Sequence, residues 1–325
     1  MYRLLVLACF CPALQWAQQE TIFSLYRHHL NLQNPAAVGL AQDGQAALSI
    51  RSQWLGVADA PETQAFSLFA LNKTSRLHKG FSVVNDQTFV ERQTQLNVDF
   101  SYALPLGEEK KLFLGLKAGA TSVSLNASSL ATYGSVERDP NLHDRSGFVP
   151  NIGVGFHYQS LRFYFAASVP RLLNTERFSL ENERVSLATD RPHIYLNSAY
   201  RFSLTKAWDF IPTILWTAVQ DAPASTQLDF LLNYQNQLEI GPMYNVQNGI
   251  GASLGIKIAG SYHLAYAYTG HSGSQPSRFS KGTHEIALRI SLNSSNAPTT
   301  NRSQNPLFSS KKERVIKGNL PAGEV

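Results

Sequence analysis

From Gln45 to Leu292 the chain repeatedly alternates apolar and polar residues, and that period of two confines most of it to half-buried β-strands. In the run from Gln93 to Leu104, Leu96, Val98, Phe100, Tyr102 and Leu104 fall on one face, with Gln93, Gln95, Asn97, Asp99 and Ser101 on the other. From Asn151 to Gln159, Ile152, Val154, Phe156 and Tyr158 oppose Asn151, Gly153, Gly155, His157 and Gln159. From Gly249 to Ala259, Ile250, Leu254, Ile256 and Ile258 oppose Gly251, Ser253, Gly255 and Lys257. No run of ten residues carries a convincing helical stripe.

The pattern predicts fourteen strands, near 45–57, 64–72, 80–88, 91–105, 110–126, 148–160, 161–169, 192–204, 208–220, 224–235, 237–247, 249–259, 261–270 and 282–292. The long connections, about 127–147, 171–191 and 271–281, are the fifth, seventh and thirteenth. Even connections are mostly short, as at Gly107, Lys206, Asn236 and Gly260. Outer-membrane barrels place short turns on the periplasmic side and longer loops outside. An even strand count puts both ends of the barrel sequence on the periplasmic side, and the parity of the gaps agrees.

The longest apolar stretch runs only from Leu4 to Leu14, whereas a spanning helix needs about 20 such residues. Charged residues make up 16% of the chain, against about 25% in soluble domains. The 18 Phe, 13 Tyr and 4 Trp argue against a disordered chain. A soluble β-sandwich also alternates, but fourteen strands would then require two domains, and no linker interrupts 45–292. The fold expected is all-β, a transmembrane antiparallel barrel of about 14 strands with a short plug-like segment at its N-terminal side. Trp54, Tyr158, Trp208, Tyr234 and Tyr244, near strand ends, are the expected aromatic girdles.

Four regions follow. Residues 1–17 have one early Arg3, an apolar core and a small residue at Ala17, the layout of a secretory signal peptide. Both cysteines, Cys9 and Cys11, lie inside it, so the exported chain is expected to have no thiol chemistry. Residues 18–43 are read as a periplasmic or plug segment, 44–292 as the barrel, and 293–325 as a flexible tail with a basic cluster at Lys311, Lys312, Arg314 and Lys317. In the lead, Asn34 suits a helix N-cap, Pro35 the first helical position and Gly39 a C-terminal stop. A short helical turn at the periplasmic mouth is therefore expected, closing the pore or offering a docking surface, with Arg51, Gln53 and Trp54 as further candidates for that role.

If the apolar face meets lipid, the lumen is lined by Asp99, Lys117, Lys257, Glu285 and Arg289, together with Arg51, Asn97, Arg162, Gln227, Asp229, Asn233 and Glu239. Both charge signs suggest pairing across the lumen. Catalytic signals are weak. The G-x-S-x-G match at 251–255 puts Ser253 in mid-strand, not on the sharp strand-to-helix turn that exposes a nucleophile. The nine histidines show no zinc-ligand spacing. The acidic and basic run 136–147 reads as a solvated loop. No enzyme, metal or cofactor is expected. The net charge of +5 has no nucleic-acid motif beside it, so no nucleic-acid partner is expected either.

Several segments in order carry a resemblance: FSLYRHHLNLQNPAAVG (23–39), the runs 51–64 and GFSVVNDQ (80–87), LGLKAG (114–119), the run 150–174 and GTHEIALRI (282–290). They resemble the PorP/SprF family of Bacteroidetes, outer-membrane proteins of the type IX secretion system, an export route tied to gliding motility in some members. The resemblance covers about 19–292. It departs at His28 and His29, where the family usually has Asn or Met, and in a tail that extends past the last strand. It implies integral residence in the outer membrane, with lipid around the barrel. The partners implied are other secretion components and secreted surface-protein cargo such as adhesins. A channel for small or hydrophobic solutes is the alternative reading, and a barrel lipase or protease a remote third.

Overall fold

The computed structural model describes residues 23–292 except 42, 58, 71–74, 128–143, 181–182, 221, 248 and 271–281; within 175–190 only the backbone is described. The expected signal peptide and basic tail lie outside the described residues.

Strands β1 (Gln45–Ser52), β2 (Glu62–Phe69), β3 (Leu77–Thr88), β4 (Glu91–Pro105), β5 (Lys111–Leu125), β6 (Arg145–Gln159) and β7 (Phe163–Val169) pair in sequence order, all antiparallel. A separate hairpin, β8 (Thr175–Leu180) and β9 (Glu183–Asp190), follows. The main sheet resumes with β10 (His193–Tyr200), which pairs directly with β7. It continues through the two-residue extension β11 (Phe202–Ser203), then β12 (Trp208–Val219), β13 (Ser225–Tyr234), β14 (Leu238–Asn245), β15 (Gly249–Ile258), β16 (Tyr262–Thr269) and β17 (Thr283–Ser291). β17 pairs with β1, Gln45 opposite Ser291, which closes the barrel and leaves no open edge. With β10 and β11 sharing one line against β12, the barrel has fourteen strands.

Every strand of the sequence reading is present with boundaries shifted by a few residues, and one element is additional. The β8–β9 hairpin occupies the stretch read as a long connection; its register slips three times over six residues, which erases the alternation that marks the others.

Period two fixes which face is which. Leu116 is 60% exposed on the outside and its neighbour Lys117 2% on the inside. Leu48, Ile50, Phe66, Leu96, Ile152, Leu254 and Ile286 all stand outward. A water-facing surface with this much contiguous aliphatic area would aggregate, whereas lipid accepts it. Trp208 and Tyr234 are direct partners at the even-numbered end, their rings 4.8 Å apart, and Trp54 packs 6.1 Å from Phe89 at the opposite end. From the fourth connection on, the even-numbered turns are three to five residues long. Gln235 and Asn236 both adopt positive φ, and Gln237 N–H returns to the Tyr234 carbonyl at 2.9 Å, the hairpin geometry that matches strand twist.

Candidate functional site

The lumen is filled by the chain's own N-terminal segment. Residues 23–40 form three short turns: a 3-10 turn (Tyr26–His28), one α-helical turn (Leu30–Gln33) and a second 3-10 turn (Pro35–Gly39). None is long enough to be stable alone, and each is held by the wall. The Asn34 side chain accepts from Ala36 N–H at 2.9 Å, capping the last turn, with Pro35 at its first position. Four residues, 41–44, then lead into β1, with Gly44 at φ 72° where a side chain would be strained.

The segment runs down the lumen. Ser24 and Leu25 meet Glu285, Thr269 and Gln227, all at the odd-connection ends of their strands. Val38 and Gly39 meet Gly80, Phe113 and Ser101, toward the even-connection ends. Asn31 sits between, fully buried. The plug thus spans the lumen, rather than only its periplasmic mouth.

Small apolar patches seat it. Leu25 packs on Met243, Ala265, Ala267 and Ala287, and Phe23 and Tyr26 pack on Ala65, Tyr195 and Leu215. Leu30 and Leu40 lie against Tyr164, Ala199, Ile211 and Leu231. Glycines let the last turn touch the wall. A Cβ on Gly115 would collide with the Pro35–Ala36 backbone, and one on Gly155 would strike the Asn34 side-chain oxygen. Both glycines lie on the inward face of their strands, and of the inward glycines on β5 and β6 they are the pair with the plug directly over them.

Polar contacts do the rest. The Glu285 carboxylate accepts Ser24 N–H at 2.7 Å and Leu25 N–H at 2.8 Å, while Gln227 donates to the Ser24 carbonyl at 3.2 Å. Lys117 Nζ donates to the Asn31 carbonyl at 2.9 Å, Ser168 Oγ to Gln33 at 2.7 Å and Ser101 Oγ to Ala36 at 2.9 Å. His29 bridges Ser67 Oγ and Ser49 Oγ, each at 2.8 Å. The His28 ring stacks on His263 at 5.1 Å.

Asp99 and Lys117 form a buried ion pair of 2.7 Å. Arg51 and Glu285 are cross-strand partners 3.9 Å apart, and the Gln53 amide faces the Arg51 guanidinium. Trp54 stands apart at the odd-connection rim with φ 50°. Lys257 and Arg289 are partly buried on β15 and β17. Arg162, expected in the lumen, is exposed: it falls in the turn between β6 and β7, outside the alternation. Ser253 is inward at 7% exposure and has no strand-to-helix turn around it. Among the described residues no three His, Cys, Asp or Glu side chains are grouped to hold a metal ion. Sequence reasoning missed the short wall hydroxyls Ser49, Ser67 and Ser168, and placed Ser101 on the polar face without a role. Their only signal is smallness at inward positions.

A closed antiparallel barrel with a lipid-matched exterior and a lumen filled by its own lead segment defines an outer-membrane β-barrel protein of the plugged type. The family model described as "Type IX secretion system membrane protein PorP/SprF" matches residues 15–290. The chain belongs to that family and is an outer-membrane protein of the type IX secretion system, associated with its secretion machinery. No curated protein sequence matches it. Similar solved structures include the Acinetobacter baumannii outer membrane protein Omp33 (11% identity, 77% of this chain and 97% of that one, TM-score 0.42). A Pseudomonas aeruginosa FadL homologue gives 10% identity, 80% and 93% coverage and TM-score 0.45. The Pseudomonas putida toluene transporter TodX gives 12%, 80% and 91%, and 0.45.

Proposed function

We propose that this protein assists the export or surface anchoring of particular proteins, adhesins among them, and that it does so as a non-enzymatic binding scaffold in the outer membrane. Its partners are periplasmic and outer-membrane components of the secretion system at the even-connection mouth and cargo at the odd-connection loops. The observation that carries this reading is the filled lumen. A general solute pore needs a continuous aqueous path, and residues 23–40 occupy that path from rim to rim with hydrogen bonds on several strands.

Deleting the gene and comparing surface proteins with solute uptake tests it. Loss of a defined set of surface proteins with normal uptake is the expected outcome. An uptake defect with the surface proteins unchanged sinks the reading in favour of a channel.

A further inference from the structure

The wall holds the plug by its backbone as well as by side chains such as His29 and Asn31. Five wall side chains, Glu285, Gln227, Lys117, Ser168 and Ser101, bind six plug main-chain groups: the N–H of Ser24 and Leu25 and the carbonyls of Ser24, Asn31, Gln33 and Ala36. Main-chain groups are common to every polypeptide, so this share of the wall's hold does not depend on the occupant's sequence, as at strand-addition sites. Gly115 and Gly155 extend the same logic, because they admit a backbone where a side chain would be refused. The fit is also incomplete. His157 Nε2 and Asn197 Nδ2 line a small cavity between plug and wall and have no protein hydrogen-bond partner among the described residues. Charged wall groups that lose the plug regain either water or another chain, while the patches under Phe23, Leu25, Tyr26 and Leu30 ask the incoming chain for apolar side chains in return.

We propose that the lumen is a peptide-binding channel: residues 23–40 are its resting occupant, and an extended segment of an exported protein takes over the same backbone-recognising positions when they leave. The proposal rests on the export reading above for the source of that segment. The wall chemistry asks for a run of free amide N–H and carbonyl groups, small residues near Gly115 and an apolar side chain over the Ala265–Ala267–Ala287 patch.

The geometry supplies a lock. A Cβ on Gly80 would lie 3.2 Å from Val38 Cβ, close to the roughly 3.5–4.5 Å that a disulfide spans. The only other cysteines in the sequence are Cys9 and Cys11. In cells carrying Val38→Cys with Gly80→Cys, oxidation should stop export of the surface proteins, and a reductant should restore it in the same protein, which excludes misfolding. Normal export with the pair fully oxidised overturns the proposal. A gene deletion that leaves export intact overturns the export reading instead.

The second arm uses the purified full chain in lipid vesicles with Gly80→Cys and Val38→Ala. It is offered, at several millimolar so as to match the tethered plug and with a mild thiol oxidant present, a synthetic peptide of residues 23–40 bearing Val38→Cys, and a scrambled peptide with its cysteine at the same position. Both should be trapped as mixed disulfides, read as a mass shift, and to within about tenfold in rate if the backbone carries recognition. Trapping of neither means that the plug does not leave. Trapping of the native order alone means that the wall reads side chains. Either result overturns the proposal.

Discussion

Lys117 and Asp99 are direct cross-strand partners on β5 and β4, and both are turned onto one plug residue. The lysine donates to the Asn31 carbonyl and the aspartate accepts from the Asn31 side-chain amide at 3.1 Å. The ion pair therefore both staples two strands and clamps the middle of the plug. Removing one partner of a buried pair costs about 3–5 kcal/mol when the other stays dry. Lys117→Met is expected to relieve that cost by releasing the plug and wetting Asp99. Planar-bilayer recordings should show frequent openings that the parent lacks, and adding Asp99→Asn should reduce them. A closed, quiet Lys117→Met channel with unchanged thermal stability would refute the clamp.

Gly115→Val tests the seat of the last turn separately. Its side chain would occupy the place of the Pro35–Ala36 backbone, so the turn is expected to leave while the strand ladder survives. The barrel should still migrate differently on gels with and without heating, but a protease should now cut within 23–40. Protection equal to that of the parent would mean that the wall itself has yielded.

The outward and inward faces of β15 make a controlled pair. Leu254 is 49% exposed and Ser253 7%. Leu254→Arg should cost about 2–4 kcal/mol near the midplane, measured as a lower unfolding midpoint in urea with lipid vesicles. Ser253→Arg should cost the barrel much less but loosen the plug, because its side chain enters the lumen beside the Ala267 seat of Leu25. Equal losses would contradict the assigned register.

Topology is checked on intact cells. An epitope inserted after Gly56, in the first connection, should bind antibody from outside, whereas one after Glu108, in the fourth, should need permeabilised cells. The reverse labelling would invert the barrel in the membrane.

The fourteen strands were legible because lipid and lumen impose opposite demands on neighbouring residues, and a single sequence shows that directly. The lumen-facing identity of Asp99, Lys117 and Glu285 came from the same phase. The path of the plug did not. Three turns of three to five residues have no period to read, and the heights at which Ser24, Asn31 and Val38 meet the wall depend on pairing between strands remote in sequence. One clue was present: Gly80, Gly115 and Gly155 fall in the inward phase of their strands, where missing side chains signal that another backbone comes close. They lie in three of the segments that carry the family resemblance, GFSVVNDQ, LGLKAG and the run from 150. The β8–β9 hairpin was illegible for the opposite reason, since its slipped register has no consistent phase.

The four residues that join Leu40 to Gln45 set how any rival competes. A segment on so short a tether cannot dilute away, and its effective concentration at the wall stays in the millimolar range. A free peptide would have to match that, whereas a chain already threaded to the mouth by other machinery is tethered as well. Discrimination between stray peptides and delivered cargo then needs no recognition sequence, only delivery.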